Sequence, residues 1–483
     1  MCRENERLRR EVERLGGEVA ERDRRIAEGE KRIAELEREL ARARLNSTNS
    51  SKPPSSDGLA GQSRPRGRPC GRRKGRRKAG GQPGHAGHHR PMVEPERVDR
   101  VVAVVPERCG HCGHGLSAPP EQAGSAGDVH RHQVFEVPAV RALVTEHQCH
   151  RLACPACGKS TRAEIPPEAR RQTGARLTAL VAHLTVCCRM PRRVLRDVLE
   201  QALGIRLGLG TIQSCWEQAS EAVAGPCGEL ERRLCREPWL SIDETGWRTN
   251  GAKRFLWAFA AAQYAVYVVA RTRGSELLVR VLGAVFEGIL CSDRFSGYLK
   301  YHKGRAQFCW AHLKRNILGV LEFTKRTGTE RFCRDALAQH ARLFRLWRRF
   351  QGGGMDRGEL AVRSIPIQKR LLALAGAHLD DADRQVANLA RALFEHSGRL
   401  FTFLEAAGVE PTNNRAERTL RTGVQWRKIC FGNRSAAGEL ATARLLTVSE
   451  TCRIQNRNKL DYLAEAIANH RKGLPVQSLF PTA

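Results

Sequence analysis

WLSIDETGW, Trp239 to Trp247, and GILCSDRFSGY, Gly288 to Tyr298, each carry an apolar run that ends in an aspartate, Asp243 in the first and Asp293 in the second. The runs have strand length and strand composition. Both aspartates stand in a chain of 483 residues with a formal net charge of +31, from 82 Lys and Arg against 51 Asp and Glu. A carboxylate set into apolar strands needs a counter-charge, and a divalent metal ion supplies it directly. Basicity of this size points to a polyanionic partner, nucleic acid before an anionic membrane surface.

The length calls for two or three folded units plus extended pieces, and a hydrophobic content of 41% is enough for a real core. The longest apolar stretch, Leu256 to Ala270, is interrupted by Gln263 and is too short to span a bilayer; it reads as two strands. Met1 to Arg10 is charged throughout and lacks the apolar core of a signal peptide. A cytoplasmic location follows as an expectation, with the 17 cysteines serving as metal ligands or buried thiols rather than disulfides.

Working towards the N-terminus, Val12, Val19, Ile26, Ile33 and Leu40 fall on one heptad position and Leu8, Leu15 and Leu36 on another. That pattern predicts a coiled coil over residues 1–45 and hence a homo-oligomer, at least a dimer. Residues 46–92 lose periodicity and fill with Ser, Pro, Gly and Arg, the composition of a disordered linker. Arg64 to Lys78 holds nine basic residues and no acid. Arg72, Arg73, Lys74, Arg76, Arg77 and Lys78 are therefore candidates to neutralise DNA phosphates by counterion release.

Cys109 and Cys112, then Cys154 and Cys157, form two CxxC pairs, each followed by glycine. Four such thiolates close a tetrahedral structural zinc site and fold a small β module, expected over residues 93–168 with strands at His132 to Val137 and Leu143 to His147. His111, His114, Cys149 and His150 are competing ligands. A redox CxxC is the lesser alternative, because no βαβ pattern surrounds either pair. Residues 169–236 read as helices, Gly174 to Cys188, Arg192 to Leu203 and Thr211 to Ala222, with Thr211 capping the third. Helix, glycine-containing turn and helix fit a helix-turn-helix that offers Thr211 to Ser220 to a DNA groove, although Ile212 and Trp216 look like packing residues.

After Pro238 the order is strand Trp239 to Asp243, strand Phe255 to Ala261, strand Tyr264 to Ala270, helix Ser275 to Phe286 and strand Gly288 to Ser292, with a fifth strand through Ala306 to Cys309. This order is that of RNase H-like folds, a mixed sheet with helices, in which the first and fourth strands are neighbours. Asp243 and Asp293 would then share metal ions. Glu244 would point to the opposite face if its strand continues. Two-metal phosphoryl transfer needs a third carboxylate, and composition alone leaves Glu395, Glu405, Glu410 and Glu417 open. Helical patterns at Lys314 to Arg326, Thr329 to Gln351, Ile365 to Leu374 and Asp380 to Leu404 predict an α-helical insertion over about 314–405. Cys309 and His312 have CxxH spacing, half of a metal site, for which a structural role is the favoured reading. Arg427 and Lys428 are placed to position phosphates. Helices at Leu440 to Cys452 and Leu460 to His470 close the chain.

PTNNRAERTLR, Pro411 to Arg421, resembles the signature of the IS66 family of bacterial insertion-sequence transposases. NSTNSSKPPSSDG (Asn46 to Gly58), GGQPGHAGH (Gly80 to His88), the paired CxxC segment, SIDETGW, CSDRFSGY and QFCWAHLKRN (Gln307 to Asn316) resemble other parts of it in unbroken order. The resemblance implies a DDE transposase with Asp243, Asp293 and Glu417 as the triad that binds Mg²⁺ or Mn²⁺. Residues 237–435 would be the RNase H-like catalytic domain and 436–483 a C-terminal helical region. DNA partners would be the element's terminal repeats and the target, and accessory proteins of the same element could assist; a bacterial, nucleoid-associated location follows. The family often has Gly-Ser where this chain reads Gly432-Asn433. A DNA-binding regulator without catalytic activity is the rival reading.

Overall fold

A computed structural model describes residues 2–44, 90–116, 130–324 and 326–481 of this multidomain α/β protein. Its backbone divides into two compact units, one of residues 1–63, 144–201 and 205–483, the other of residues 64–143 with 202–204. The larger unit begins with helix α1, Cys2–Arg44, on which Val12, Val19, Ile26, Ile33 and Leu40 all lie exposed. A helix of alternating charge with its apolar row uncovered draws little stability from its own chain. The linker expected at 46–92 falls outside the described residues up to position 89.

Where the β module was expected, the backbone of the described residues 130–150 forms no strand. Val134, Phe135, Val137, Leu143 and Val144 are exposed, so no core exists there to order strands. The strands that do form are three residues long: β1, Arg151–Ala153, pairs antiparallel with β2, Ser160–Arg162, and their connection carries Cys154 and Cys157.

A helical layer follows: α2, Ala175–Val186; α3, Arg192–Leu203; α4, Leu209–Ala222; and α5, Ala224–Arg233. Helix α4 starts two residues before the expected Thr211, capped by Gly208, because Gly208 in extended geometry already frees its carbonyl for the Ile212 amide at 3.1 Å. The sheet then runs β3, Trp239–Thr249; β4, Ala252–Ala260; β5, Ala265–Ala270; helix α6, Ser275–Leu282; β6, Ile289–Ser292; helix α7, Ser296–Tyr301; and β7, Ala306–Phe308. Its order is β5-β4-β3-β6-β7, with β3, β4 and β5 antiparallel and β6 and β7 parallel to β3. The first and fourth strands of the sheet are thus neighbours, with Ser241 opposite Cys291.

Asp243 does not end its strand. The strand expected over Trp239 to Asp243 continues to Thr249, because Gly246 to Thr249 pair with Ala252 to Phe255 across a tight turn at Asn250 and Gly251, both at positive φ. What ends before Asp243 is the pairing with β6, so the carboxylate sits where the two strands separate.

The insertion begins at helix α8, Trp310–Phe323, and continues through α9, Thr327–Gln351; α10, Arg357–Gly376; α11, Arg384–Glu395; and α12, Ser397–Leu400. Helix α8 starts four residues before the expected Lys314. Helix α10 starts at an Asp356 cap whose side chain accepts from the Glu359 amide at 2.7 Å, and it carries Pro366 in its interior. The single helix expected over Asp380 to Leu404 is broken at His396, which holds non-helical geometry between α11 and α12. The insertion docks back on the sheet through Gln307, whose Oε1 accepts from the Phe403 amide at 2.9 Å and whose Nε2 donates to the Leu400 carbonyl at 3.1 Å. Helices α13, Asn414–Cys430; α14, Ala436–Ile454; and α15, Lys459–Arg471, complete the unit. One core cluster joins the sheet to α2, α4, α13, α14 and α15, and a second joins Trp239, Cys291 and Phe308 to the insertion.

Candidate active site

Strand alternation sorts the residues of β3. Asp243, Thr245 and Trp247 share one face, and Glu244 takes the other. Helix α13 lies over the first face: Trp426 meets Trp247 with ring centroids 6.4 Å apart, and Arg427 donates to Thr245 Oγ1 at 3.2 Å and to the Gly246 carbonyl. Glu244, with a side chain 2% exposed, receives Arg273 and the Tyr298 hydroxyl. Only Asp243 of the adjacent acids faces α13.

Asp293 follows β6 directly. Its Oδ1 accepts from the Phe295 amide at 2.9 Å, which shapes the turn into α7. The next strand brings a further group alongside: the Cys309 amide donates to the Ser292 carbonyl at 3.0 Å, and Cys309 caps α8, with His312 and Arg315 following at successive three-residue steps. The Trp310 amide donates to the Pro411 carbonyl at 3.0 Å, which joins α8 to the segment leading into α13.

Glu417 lies in the first turn of α13. The cap residue, Asn413, makes no side-chain cap to its own helix. Its Nδ2 instead donates to the Ile242 carbonyl at 2.8 Å, and its amide donates to Cys309 Sγ at 3.2 Å. The start of the helix is thereby fastened to the strand of Asp243 and to the cap of α8. Glu417 Oε1 lies 3.7 Å from His312 Nδ1 and 3.8 Å from Arg315. An ion pair one turn along with Arg421 is therefore not its nearest partnership.

The electrostatics follow from this crowding. Burial, then the charges of Glu244, Asp293 and Glu417, pushes the Asp243 carboxyl well above the usual carboxylate range; only the Glu244 amide, at 3.0 Å from Oδ1, acts against them. Burial also raises Asp293, offset by the Phe295 amide and by Arg273, Arg294 and Arg315. Burial raises Glu417 against Arg315 and Arg421. Burial, with Arg315 and Arg294 nearby, pushes His312 down to about 3, so its imidazole is neutral and its approach to Glu417 is no salt bridge. Three half-buried carboxyls that repel one another fit a divalent cation by chemistry: all offer hard oxygen, and their own protein donors are too few to hold three negative charges.

The two CxxC turns are built alike. Gly113, at φ +75, donates to the Cys109 carbonyl at 3.0 Å, and Gly158, at φ +69, donates to the Cys154 carbonyl at 2.8 Å. Glycine suits both turns because left-handed φ is strained for other residues. Backbone amides of Cys112 and His111 lower the Cys109 thiol, and those of Cys157 and Ala156 lower Cys154, a preparation for thiolate.

Of the expected DNA contacts, Arg72, Arg73, Lys74, Arg76, Arg77 and Lys78 lie outside the described residues. Lys428 is exposed, whereas Arg427 is half-buried and engaged with β3. Near the C-terminal end of α13, a cleft of roughly 660 Å³ is lined by Arg189, Arg192, Arg193, Trp216, Trp426 and Arg434. Helix α4, expected to enter a groove, buries Ile212, Cys215, Trp216 and Ala219 and exposes Thr211, Glu217 and Glu221. Acidic exposed positions do not suit a phosphate-rich partner. Arg315 and the Asn413 tether went unread in the sequence; the available signal was the three-residue spacing of Cys309, His312 and Arg315 directly after a strand.

Residues 170–440 match the model of the transposase IS66 family, residues 106–158 match that of the zinc-finger binding domain of transposase IS66, and residues 2–91 match a family of unknown function. The chain belongs to the IS66 transposase family. A Sinorhizobium fredii protein bearing the name uncharacterized protein y4qI is 26% identical over 255 residues, 47% of this chain and 46% of that protein. The chain thus spans about half the length of the curated relative it matches. Among the described residues, no helix is long and apolar enough to cross a membrane.

Proposed function

We propose that this chain is a DDE transposase of a bacterial insertion sequence, with an RNase H-like core that binds element ends, cleaves DNA strands and joins the freed 3′ ends to target DNA. The observation that carries the reading is the convergence of three carboxyls from distant parts of the chain, Asp243 from β3, Asp293 from the end of β6 and Glu417 from the start of α13, close enough that their charges act on one another. When bound by these three residues, Mg²⁺ or Mn²⁺ would activate the attacking water or 3′-hydroxyl and stabilise the leaving oxygen.

The chain's own residues supply the rest. Asn413 fixes the distance between the Glu417 helix and the Asp243 strand. Glu244 stays on the far face, where Arg273 and Tyr298 hold it out of the reaction. Arg294 and Arg315 balance charge around Asp293, and the basic cleft with Arg189, Arg192, Arg193 and Arg434, together with Lys428, is suited to a phosphate backbone. Two like CxxC turns support a structural zinc held by Cys109, Cys112, Cys154 and Cys157. The uncovered apolar row of α1 supports pairing through a coiled coil, and synapsis of two ends requires at least two protomers. Accessory proteins of the element are proposed as further partners, in a cytoplasmic, nucleoid-associated setting.

Labelled element ends incubated with the full chain and Mg²⁺ or Mn²⁺, beside Asp243→Ala, test the reading. Metal-dependent 3′ nicking or strand transfer that disappears in the variant is expected. Intact DNA binding without any nicking by the unaltered chain, with accessory proteins supplied, would leave the non-catalytic regulator.

A further inference from the structure

We propose that Cys309, His312 and Glu417 form a further site, adjoining the carboxylate triad through Glu417, for a thiophilic divalent cation, with Zn²⁺ as the natural occupant. Cys309 Sγ, a nitrogen of His312 and a carboxylate oxygen of Glu417 all lie within 4.8 Å of one another. His312 Nδ1 and Glu417 Oε1 are 3.7 Å apart, too far for a hydrogen bond, and both atoms are shielded from solvent without a hydrogen-bond partner. Two buried polar atoms facing each other across such a gap cost free energy unless something bridges them.

A tetrahedral ion fits the gap. With a sulfur at about 2.3 Å and nitrogen and oxygen at about 2.0–2.1 Å, the ligand atoms stand about 3.3–3.6 Å apart, so small side-chain rotations close the site. Its construction is rigid where it needs to be. Cys309 caps α8 and its backbone is bonded to Ser292, and its sulfur accepts the Asn413 amide at 3.2 Å. His312 stands on the same helix start, one turn on. Glu417 arrives from α13, whose first residues Asn413 ties to β3.

The donor set selects the ion. Thiolate, imidazole and one carboxylate suit zinc or cobalt, whereas Mg²⁺ takes an octahedron of oxygens and rejects sulfur. Three protein ligands leave one coordination position open. The site shares Glu417 with the triad proposed above, so that ion would hold the Oε1 side of the carboxylate. The cation site itself rests on the three ligand atoms and not on catalysis.

Metal content of the full chain tests this. The protein is saturated with Zn²⁺ or Co²⁺ in excess Mg²⁺, freed of loose metal, and counted for metal per chain, beside Cys309→Ser, His312→Gln and, as a control, Cys235→Ser at an exposed cysteine. Cys309→Ser and His312→Gln are each expected to lose about one equivalent, with a matching loss of the cobalt–thiolate absorption in Cys309→Ser, while Cys235→Ser keeps the full content. Because Cys309 is buried, His312→Gln carries the result should Cys309→Ser misfold. Asp243→Asn is expected to retain this equivalent while losing strand nicking, so failure of the cation site and failure of the catalytic reading are read separately. Unchanged metal content in His312→Gln overturns the site, as does an equal loss in Cys235→Ser.

Discussion

The Asn413 side-chain amide donates to the main-chain carbonyl of Ile242 at 2.8 Å, and so the residue that caps the helix of Glu417 is fastened to the strand of Asp243, one residue before it. Asn413→Ala removes the donor and leaves a buried carbonyl unmatched, at about 1–3 kcal/mol. A shift of the helix start should also lower metal-dependent nicking on the order of 10-fold to 100-fold, since small misplacements at a reacting centre are costly. Chemical denaturation and a nicking assay on one preparation check both; unchanged nicking in a destabilised protein would confine Asn413 to stability.

Asp243 predicts an inverted pH dependence of stability. Its carboxyl is raised by burial and by neighbouring acids, so the folded state holds the proton more tightly than the unfolded chain. Such a group stabilises the fold while protonated, and that stability is lost as pH rises from the ordinary carboxylate range through the raised value. In EDTA at neutral pH, Asp243→Asn should melt at a higher temperature than the unaltered protein, and the difference should shrink at acid pH and on adding Mg²⁺. A lower melting temperature for the variant in neutral EDTA would count against the crowding of carboxyls.

Glu244 is held by Arg273 and Tyr298 on the face away from Asp243. Arg273→Met leaves a buried carboxylate with one remaining donor and is expected to destabilise by about 2–3 kcal/mol, less than a fully buried pair because Arg273 is partly exposed. Glu244→Gln, which keeps a hydrogen-bonding group and removes the charge, should cost under about 1.5 kcal/mol. Urea midpoints of the two variants in the reverse order would refute the pairing.

Gly432 and Asn433 lock α13 to the β3–β4 turn. Gly432 sits at φ +110, and a Cβ there would collide with the Arg248 carbonyl oxygen. Asn433 Oδ1 accepts from Trp247 Nε1 at 2.6 Å, and its Nδ2 donates to Thr442 Oγ1 at 2.8 Å and to the Gly438 carbonyl at 3.0 Å. Asn433→Ala should cost about 2–3 kcal/mol by stranding buried partners, and Gly432→Ala at least about 2 kcal/mol through backbone strain. Thermal melts within a degree of the unaltered protein would contradict the assignment.

For the CxxC turns, if the proposed zinc takes all four thiolates, Cys109→Ser and Cys154→Ser are each expected to lower bound zinc by about one equivalent per chain, and the double variant by no more than either alone. Additive losses would mean two separate sites.

Much of the fold was legible in the sequence. Apolar runs of strand length placed β3 to β7 in the right order, whereas the starts of α4, α8 and α10 lay before the residues expected. Boundaries fared worse wherever a hairpin or a cap outweighed composition, as where β3 runs on past Asp243 or α10 tolerates Pro366. The strands expected at 132–147 failed for want of a core, since alternation alone does not order a backbone whose apolar residues stay in water.

Local pattern and charge by themselves determined that this chain carries acids in apolar strands, paired CxxC turns and a basic surface, because those properties reside in residue type and spacing. Composition and spacing left Glu395, Glu405, Glu410 and Glu417 open as partners of the two aspartates, the family resemblance singled out Glu417, and the contacts that position its helix belong to tertiary structure. The pairing of β3 with β6 brought the strand of Asp243 alongside that of Asp293, the Asn413 bond fastened the helix of Glu417 to β3, and the β7–α8 junction put Cys309 and His312 near Glu417. Each of these contacts joins positions far apart in the chain, where spacing holds no information and only sheet register and packing do.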